Sequence, residues 1–175
     1  MNNNPKGGLF MNVGFKNSRT RENLMKAFAG ESQARNRYTF AAKKAKEAGL
    51  YAIAYVFELT AEQERAHAER FYDLLKTEAG ETIEIQAGYP VDKQETLVEL
   101  LESSKHNEFE EADDIYVSFG NDAKEEGYFE VASAFLQIAE IEKLHGGRFG
   151  KLAKLLKEGN YFEKQEENEN NSQNL

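Results

Sequence analysis

The segment that decides the fold is Glu64-Arg65-Ala66-His67, in the middle of a run over residues 50–76 with the periodicity of one helix. A carboxylate and an imidazole three residues apart lie on the same face of a helix. The apolar residues of the run recur every three or four positions, and that stride passes through Glu64 and His67. A buried charge is costly unless it is paired or binds a metal. The segment therefore predicts a polar site inside a helical protein.

The arrangement recurs 78 residues later (64 to 142, 67 to 145) as Glu142-Lys143-Leu144-His145. Other residues recur at the same spacing: Tyr38 and Tyr116, Gly49 and Gly127, Phe57 and Phe135, Phe71 and Phe149. Glu31 has its counterpart 77 residues on, at Glu108. Two matching helix pairs predict a bundle with pseudo-twofold symmetry about its centre.

Composition restricts both the class of protein and its chemistry. The chain has 175 residues, two prolines, no cysteine and a formal net charge of −9. This favours one helical domain, excludes disulfides and thiol chemistry, and argues against nucleic acid or an anionic membrane surface as partner. No apolar run approaches the roughly 20 residues that span a bilayer, and no signal-peptide core is present at the N-terminus. We expect a cytoplasmic protein with no membrane association.

The periodicity and the glycines predict four helices, over residues 20–48, 50–77, 92–126 and 128–157, with a crossover connection over residues 80–92. Thr20 is the predicted N-cap of the first helix. The prediction is an all-α four-helix bundle of two antiparallel helix pairs over residues 19–158. A flexible N-terminal arm (1–18) and a disordered polar tail (159–175) flank it.

Each predicted helix brings at least one glutamate to its inner face. The candidate metal ligands are Glu31, Glu64, His67, Glu108, Glu111, Glu142 and His145. One Glu from each of two helices and Glu-x-x-His from each of the others is the ligand plan of ferritin-like di-iron carboxylate bundles. Carboxylate and imidazole ligands suit iron or manganese. Tyr38 and Tyr116 are either ordinary core residues or hydrogen-bond donors to metal-bound carboxylates.

Three stretches resemble the rubrerythrin family: RTRENLMKAFAGESQARNRY at residues 19–38, EQERAHA at residues 62–68 and KEEGY at residues 124–128. The resemblance extends over residues 19–158. It implies a ferritin-like four-helix bundle, usually dimeric and in some members domain-swapped, so we expect a homodimer. It also implies the two-electron reduction of hydrogen peroxide to water, as a defence against oxidative stress in the cytoplasm.

The resemblance further implies two iron ions per site, oxo-bridged when oxidised. Glu64 and Glu142 would bridge them, Glu31 would be a terminal ligand of one iron, and Glu108 and His145 would be ligands of the other.

In this family one iron changes its ligand with oxidation state. By resemblance it would bind Glu111, a carboxylate that ordinary ferritins lack, when oxidised, and His67 when reduced. Together with the two tyrosines, these are the candidate catalytic residues: Glu111, His67, Tyr38 and Tyr116.

The chain departs from two-domain rubrerythrins, whose rubredoxin domain holds an iron with four cysteines. Because it contains no cysteine, it resembles the shorter, rubredoxin-less members and requires a separate electron donor such as rubredoxin. Two alternatives stay open from the sequence. One is a ferritin-like ferroxidase or iron-handling protein, which for storage requires a hollow multi-subunit shell. The other is a site that holds manganese or zinc, with a structural or a catalase-like role.

Overall fold

The computed structural model describes residues 14–76 and 80–159, which contain five α-helices and no β-strand. They are α1 (Arg19–Glu47), α2 (Tyr51–Leu74), α3 (Leu97–Glu110), α4 (Tyr116–Glu125) and α5 (Phe129–Lys157). A π-helical turn (Glu111–Ile115) joins α3 to α4, and a short 3-10 turn (Phe15–Asn17) precedes α1. Since α3, the π turn and α4 form one continuous helical segment, the predicted four-helix bundle is confirmed.

The bundle consists of two helix pairs, as the repeat predicts: α1 packs against α2, and α5 packs against α3 and α4. An extended connection over residues 80–96 links the pairs. No helix within the described ranges has the length and hydropathy to cross a bilayer. The proposed arm and tail fall largely on residues 1–13 and 160–175, outside the described residues, so their flexibility stays a prediction.

The turns inside the two pairs have the same construction. In the first, Gly49 has a φ of +74°, Gly49 N donates to Lys46 O and Leu50 N donates to Ala45 O. In the second, Gly127 has a φ of +85° and the two matching hydrogen bonds are present. This is the Schellman motif, which requires a residue in the left-handed region and so favours glycine.

Two predicted helix starts are wrong. Ser18, not Thr20, caps α1, because the Ser18 side chain accepts a hydrogen bond from Arg21 N. The Thr20 hydroxyl instead donates to Glu126 Oε2 at 2.6 Å, which ties α1 to the turn after α4. Both Ser and Thr are good caps, so composition alone does not separate them.

The third helical segment begins at Leu97 rather than near Asp92. Thr96 and Glu99 form a reciprocal capping box there. The Asp92 side chain has another role: Arg37 and Asn107 both donate hydrogen bonds to it. The connection is thereby fastened across α1 and α3, on one side of the bundle.

The π turn explains why the repeat spacing changes by one residue. Glu108 matches Glu31 at a spacing of 77, whereas Tyr116 matches Tyr38 at 78. A π turn inserts one extra residue into a helix, and it lies between these two positions. Within the turn Ala112 is buried, and Tyr116 is the next buried residue, so the buried face of the helix no longer passes through Glu111.

The apolar core is split into two clusters, each built around an aromatic triad. The triads match each other in the repeat: Tyr38, Phe57 and Phe149 in one, Tyr116, Phe135 and Phe71 in the other. Centroids within each triad lie 5.0–5.9 Å apart. The buried polar side chains belong to neither cluster.

Candidate metal centre

Two overlapping groups of buried acidic and histidine side chains occur in the bundle. In each group the possible ligand atoms all lie within 4.8 Å of one another. The groups are Glu31, Glu64, His67 and Glu142, and Glu64, Glu108, Glu142 and His145. Because Glu64 and Glu142 belong to both, their two carboxylate oxygens are positioned to bridge a pair of cations. Six of the seven predicted ligands are thus brought together.

Four different helices supply these side chains. Glu31 comes from α1 and Glu108 from the last turn of α3. The Glu-x-x-His segments of α2 and α5 each supply two groups from one helical face. All six side chains are buried, with at most 7% of the residue exposed.

Both imidazole rings point the same nitrogen at the carboxylates. His67 Nδ1 lies 2.8 Å from Glu142 Oε1 and 3.2 Å from Glu64 Oε2. His145 Nδ1 lies 2.7 Å from Glu142 Oε2, 3.1 Å from Glu64 Oε1 and 3.4 Å from Glu108 Oε2. The two rings stack with centroids 5.9 Å apart. In both rings, Nδ1 is therefore the atom available to a metal.

Several buried polar atoms of the site have no well-aligned hydrogen bond, although the close histidine–carboxylate contacts above involve most of them. They are Glu31 Oε2, Glu64 Oε1, Glu108 Oε2, both oxygens of Glu142 and Nδ1 of His145. Four buried carboxylates that share only two histidines are strongly unfavourable, and cations bound among them would remove that penalty. Oxygen and imidazole donors without thiolate fit iron or manganese.

Two tyrosines anchor the terminal glutamates. The Tyr38 hydroxyl donates to Glu108 Oε1, and the Tyr116 hydroxyl donates to Glu31 Oε1. Burial, together with the nearby carboxylates, raises the pKa of both hydroxyls well above 10, so both remain protonated donors. Each tyrosine thus fixes one oxygen of its glutamate and leaves the other facing the cluster.

Glu111, the seventh predicted ligand, belongs to neither group. It is half-buried in the π turn and lines a cavity of about 460 Å³ with Tyr89, Gly30 and Tyr116 among its neighbours. Burial raises the pKa of Glu111 well above its usual range, and the charges of neighbouring glutamates add to the effect. It therefore stands between the cavity and the buried cluster.

Two residues near the site were not predicted. Tyr89, in the connection, donates from its hydroxyl to Lys26 O at 2.8 Å and covers one side of the cavity. Nothing in the local pattern indicates its position. Gln63 Oε1 lies 3.1 Å from His145 Nε2. The repeat could have drawn attention to Gln63, because the matching residue of the second copy is the apolar Ile141.

Gly146, the residue after His145, allows a close approach of α5 to α3. A Cβ there would lie 2.9 Å from the Phe109 ring and 3.3 Å from Glu108 Cβ, whereas one on Gly147 meets nothing within 4 Å. We expect Gly146→Ala to lower the free energy of unfolding by about 1–3 kcal/mol. The control, Gly147→Ala, should be neutral or stabilising by up to about 1 kcal/mol. Urea unfolding of both variants measures this, and equal effects would contradict it.

The metal-free protein should lose stability as pH rises. Burial raises the pKa of Glu31 to about 8, and it raises that of Glu108 well above 4.5. Burial alone lowers the pKa of His145, but its hydrogen bonds to carboxylates raise it to about 12. The pKa of Glu64 is shifted in the opposite direction, below its usual value. The folded state thus binds more protons than the unfolded chain, so stability falls between about pH 4.5 and 8, by up to ~1.4 kcal/mol per pH unit per proton.

Urea midpoints of the metal-free and metal-loaded protein at pH 5 and pH 8 test this expectation. Metal binding displaces those protons, so the loaded protein should not show the fall. A metal-free midpoint that stays constant or rises with pH would contradict the proton balance.

Sequence comparison connects this site to known proteins. The rubrerythrin family model matches residues 22–153, and an overlapping match covers residues 99–173. The chain is 46% identical over 152 residues to a rubrerythrin from Clostridium perfringens, covering 86% of this chain and 78% of that protein. It is 44% identical over 157 residues to a rubrerythrin from Porphyromonas gingivalis, covering 90% of this chain and 77% of that protein.

Solved structures agree with the sequence relatives. Nigerythrin in its fully reduced, all-ferrous state matches with a TM-score of 0.70 at 29% identity, covering 90% of this chain and 81% of the other. The mixed-valence state of nigerythrin gives a TM-score of 0.69, covering 87% and 76%. The sequence match over residues 22–153 contains all six buried ligand-type side chains. The chain belongs to the rubrerythrin family.

Proposed function

We propose that this protein reduces hydrogen peroxide to water at a di-iron site: H₂O₂ + 2H⁺ + 2e⁻ → 2H₂O. The observation that carries the proposal is the pair of four-residue ligand groups that share Glu64 and Glu142. The extra carboxylate, Glu111, on the adjoining cavity wall favours peroxide chemistry over simple iron binding. The rubrerythrin relatives support the same assignment.

In this proposal bound iron supplies the two electrons. Glu64 and Glu142, which belong to both ligand groups, would hold both metals, and Glu108 and His145 would complete one group. Glu31 and His67 would complete the other group. The hydroxyls of the two tyrosines would keep Glu31 and Glu108 oriented when the charge of the site changes.

Cleavage of the O–O bond requires two protons, and Glu111 is our candidate for their delivery. Its carboxyl lies on the wall of the cavity with Tyr89 and Glu110. Burial and the negative charges of Glu31 and Glu108 raise its pKa. A carboxyl in that position can exchange protons with water in the cavity and pass them inward. The cavity is also our candidate route for peroxide.

The 175 residues contain no cysteine that could hold a rubredoxin-type iron, so in this proposal a separate protein returns the two electrons to the oxidised iron. We propose a rubredoxin-like protein as the donor and a homodimer as the functional unit. Size-exclusion mass tests the second point: a dimer fits the proposal, whereas a large hollow shell would favour iron storage.

Peroxide titration of the anaerobically reduced, iron-loaded protein tests the reaction itself. The balanced equation predicts that one peroxide oxidises one iron pair, that no oxygen is released and that two waters form. Release of about half an oxygen molecule per peroxide would instead indicate catalase-like disproportionation and would reject the reductase assignment. Metal analysis of the same sample identifies iron, manganese or zinc.

A further inference from the structure

The two histidines of the site differ in what holds the far side of the ring. His145 Nε2 lies 3.1 Å from Gln63 Oε1. Every polar contact of His67 runs through Nδ1. Within residues 14–76 and 80–159, Nε2 of His67 has no hydrogen-bonding partner. One ring is therefore held from both sides and the other from one side only.

The direction of the hydrogen bond to Gln63 follows from the chemistry of imidazole. Nδ1 of His145 faces the carboxylates and is the atom that a metal would take. A neutral ring that binds metal through Nδ1 carries its proton on Nε2 and can only donate there. The Gln63 amide oxygen is then the acceptor. Such a partner fixes both the tautomer and the plane of a metal-bound histidine.

The difference between the two histidines corresponds to a difference between the two copies of the internal repeat. Gln63 immediately precedes Glu64 in α2, and Ile141 immediately precedes Glu142 in α5. The spacing of 78 residues (63 to 141) makes these two positions equivalent. An isoleucine side chain has no acceptor, so the second copy cannot provide the bond that the first provides.

We propose that Gln63 is a positioning residue that fixes the His145 ring for metal binding, and that Ile141, which cannot do the same for His67, leaves that ring held by its Nδ1 contacts alone. The inference rests on the proposed metal site and deepens it, because it assigns the asymmetry between two otherwise matching ligands to one pair of residues.

The test uses zinc as the only added metal and nuclear magnetic resonance of the histidine rings. The chain has three histidines, so each ring can be assigned. In the zinc-loaded protein, the Nε2–H of His145 should exchange slowly with water and show a hydrogen-bonded shift, whereas that of His67 should exchange fast. Gln63→Met keeps the side-chain size but removes the acceptor. It should abolish the slow signal and weaken zinc binding about 10- to 100-fold.

Three further variants make the result specific. Gln137→Met, at an exposed glutamine whose amide bonds Ser133, should behave like the unmodified protein. Gln63→Glu, which retains an acceptor, should restore the slow His145 signal. Ile141→Gln should create a second slow signal, from His67.

The proposal is overturned if Gln63→Met keeps both the slow ring proton and the zinc affinity of the Gln137→Met control. Because no peroxide is added, a failure of peroxide reduction does not change these readouts. The two proposals therefore fail separately.

Discussion

Glu64→Ala should lower the bound metal from about two ions per chain to below about one. Glu64 is 1% exposed and supplies an oxygen to both ligand groups, so its loss removes the bridge between the two positions. The variant should also lose the stabilisation by metal. For the unmodified protein that stabilisation is about 4 kcal/mol when free metal is about 1,000 times the dissociation constant.

The measurement is metal content after equilibrium dialysis, together with thermal unfolding with and without metal. Glu62→Ala is the matched control, because Glu62 lies two residues earlier on the exposed side of the same helix and pairs with Arg65. The control should retain both ions. If Glu64→Ala also retains two ions, the bridging role assigned to Glu64 is wrong.

Glu111→Ala should affect the reaction rate and leave the metal content unchanged, which is the reverse of the effect of Glu64→Ala. Both metals should stay bound, since Glu111 is outside the two buried groups, but the reaction with peroxide should slow by about 10²-fold or more. The physical reason is the position of Glu111 on the cavity wall, where it is our candidate for proton delivery and for the oxidised-state ligand.

Single-turnover oxidation by peroxide measures this effect, with iron content determined on the same sample. Glu110→Ala is the control, because Glu110 is the exposed neighbour of Glu111 and lines the same cavity. Loss of one or both irons from Glu111→Ala would show that Glu111 is a structural ligand and would remove its separate catalytic role.

The sequence predicted the bundle and its centre because both depend on helical periodicity. Glu64 and His67 share a face of α2 with Phe57 and Phe71, and Glu142 and His145 share a face of α5 with Phe135 and Phe149. The structure buries all of them. The repeat independently predicted the two helix pairs.

The π turn could not be predicted from residue preferences, because its residues form an ordinary α-helix equally well. Its trace in the sequence is indirect: the repeat spacing changes from 77 at Glu108 to 78 at Tyr116. The extra residue rotates the inner face, which is why Glu111 is half-buried at the cavity rather than inside a ligand group.

The side-chain partners of the connection over residues 80–96 could not be predicted from the sequence either. Asp92 resembles a helix cap in sequence, but it binds Arg37 and Asn107 from two other helices. Such contacts depend on tertiary packing between segments far apart in the chain, and local patterns carry no information about them.

The most direct test of the central claim is stopped-flow oxidation of the anaerobically reduced, iron-quantified protein, with peroxide and with oxygen in parallel. The proposed peroxide reductase should contain about two irons per chain and react much faster with peroxide than with oxygen. Faster reaction with oxygen, with iron accumulating beyond two per chain, would contradict the claim and identify a ferroxidase.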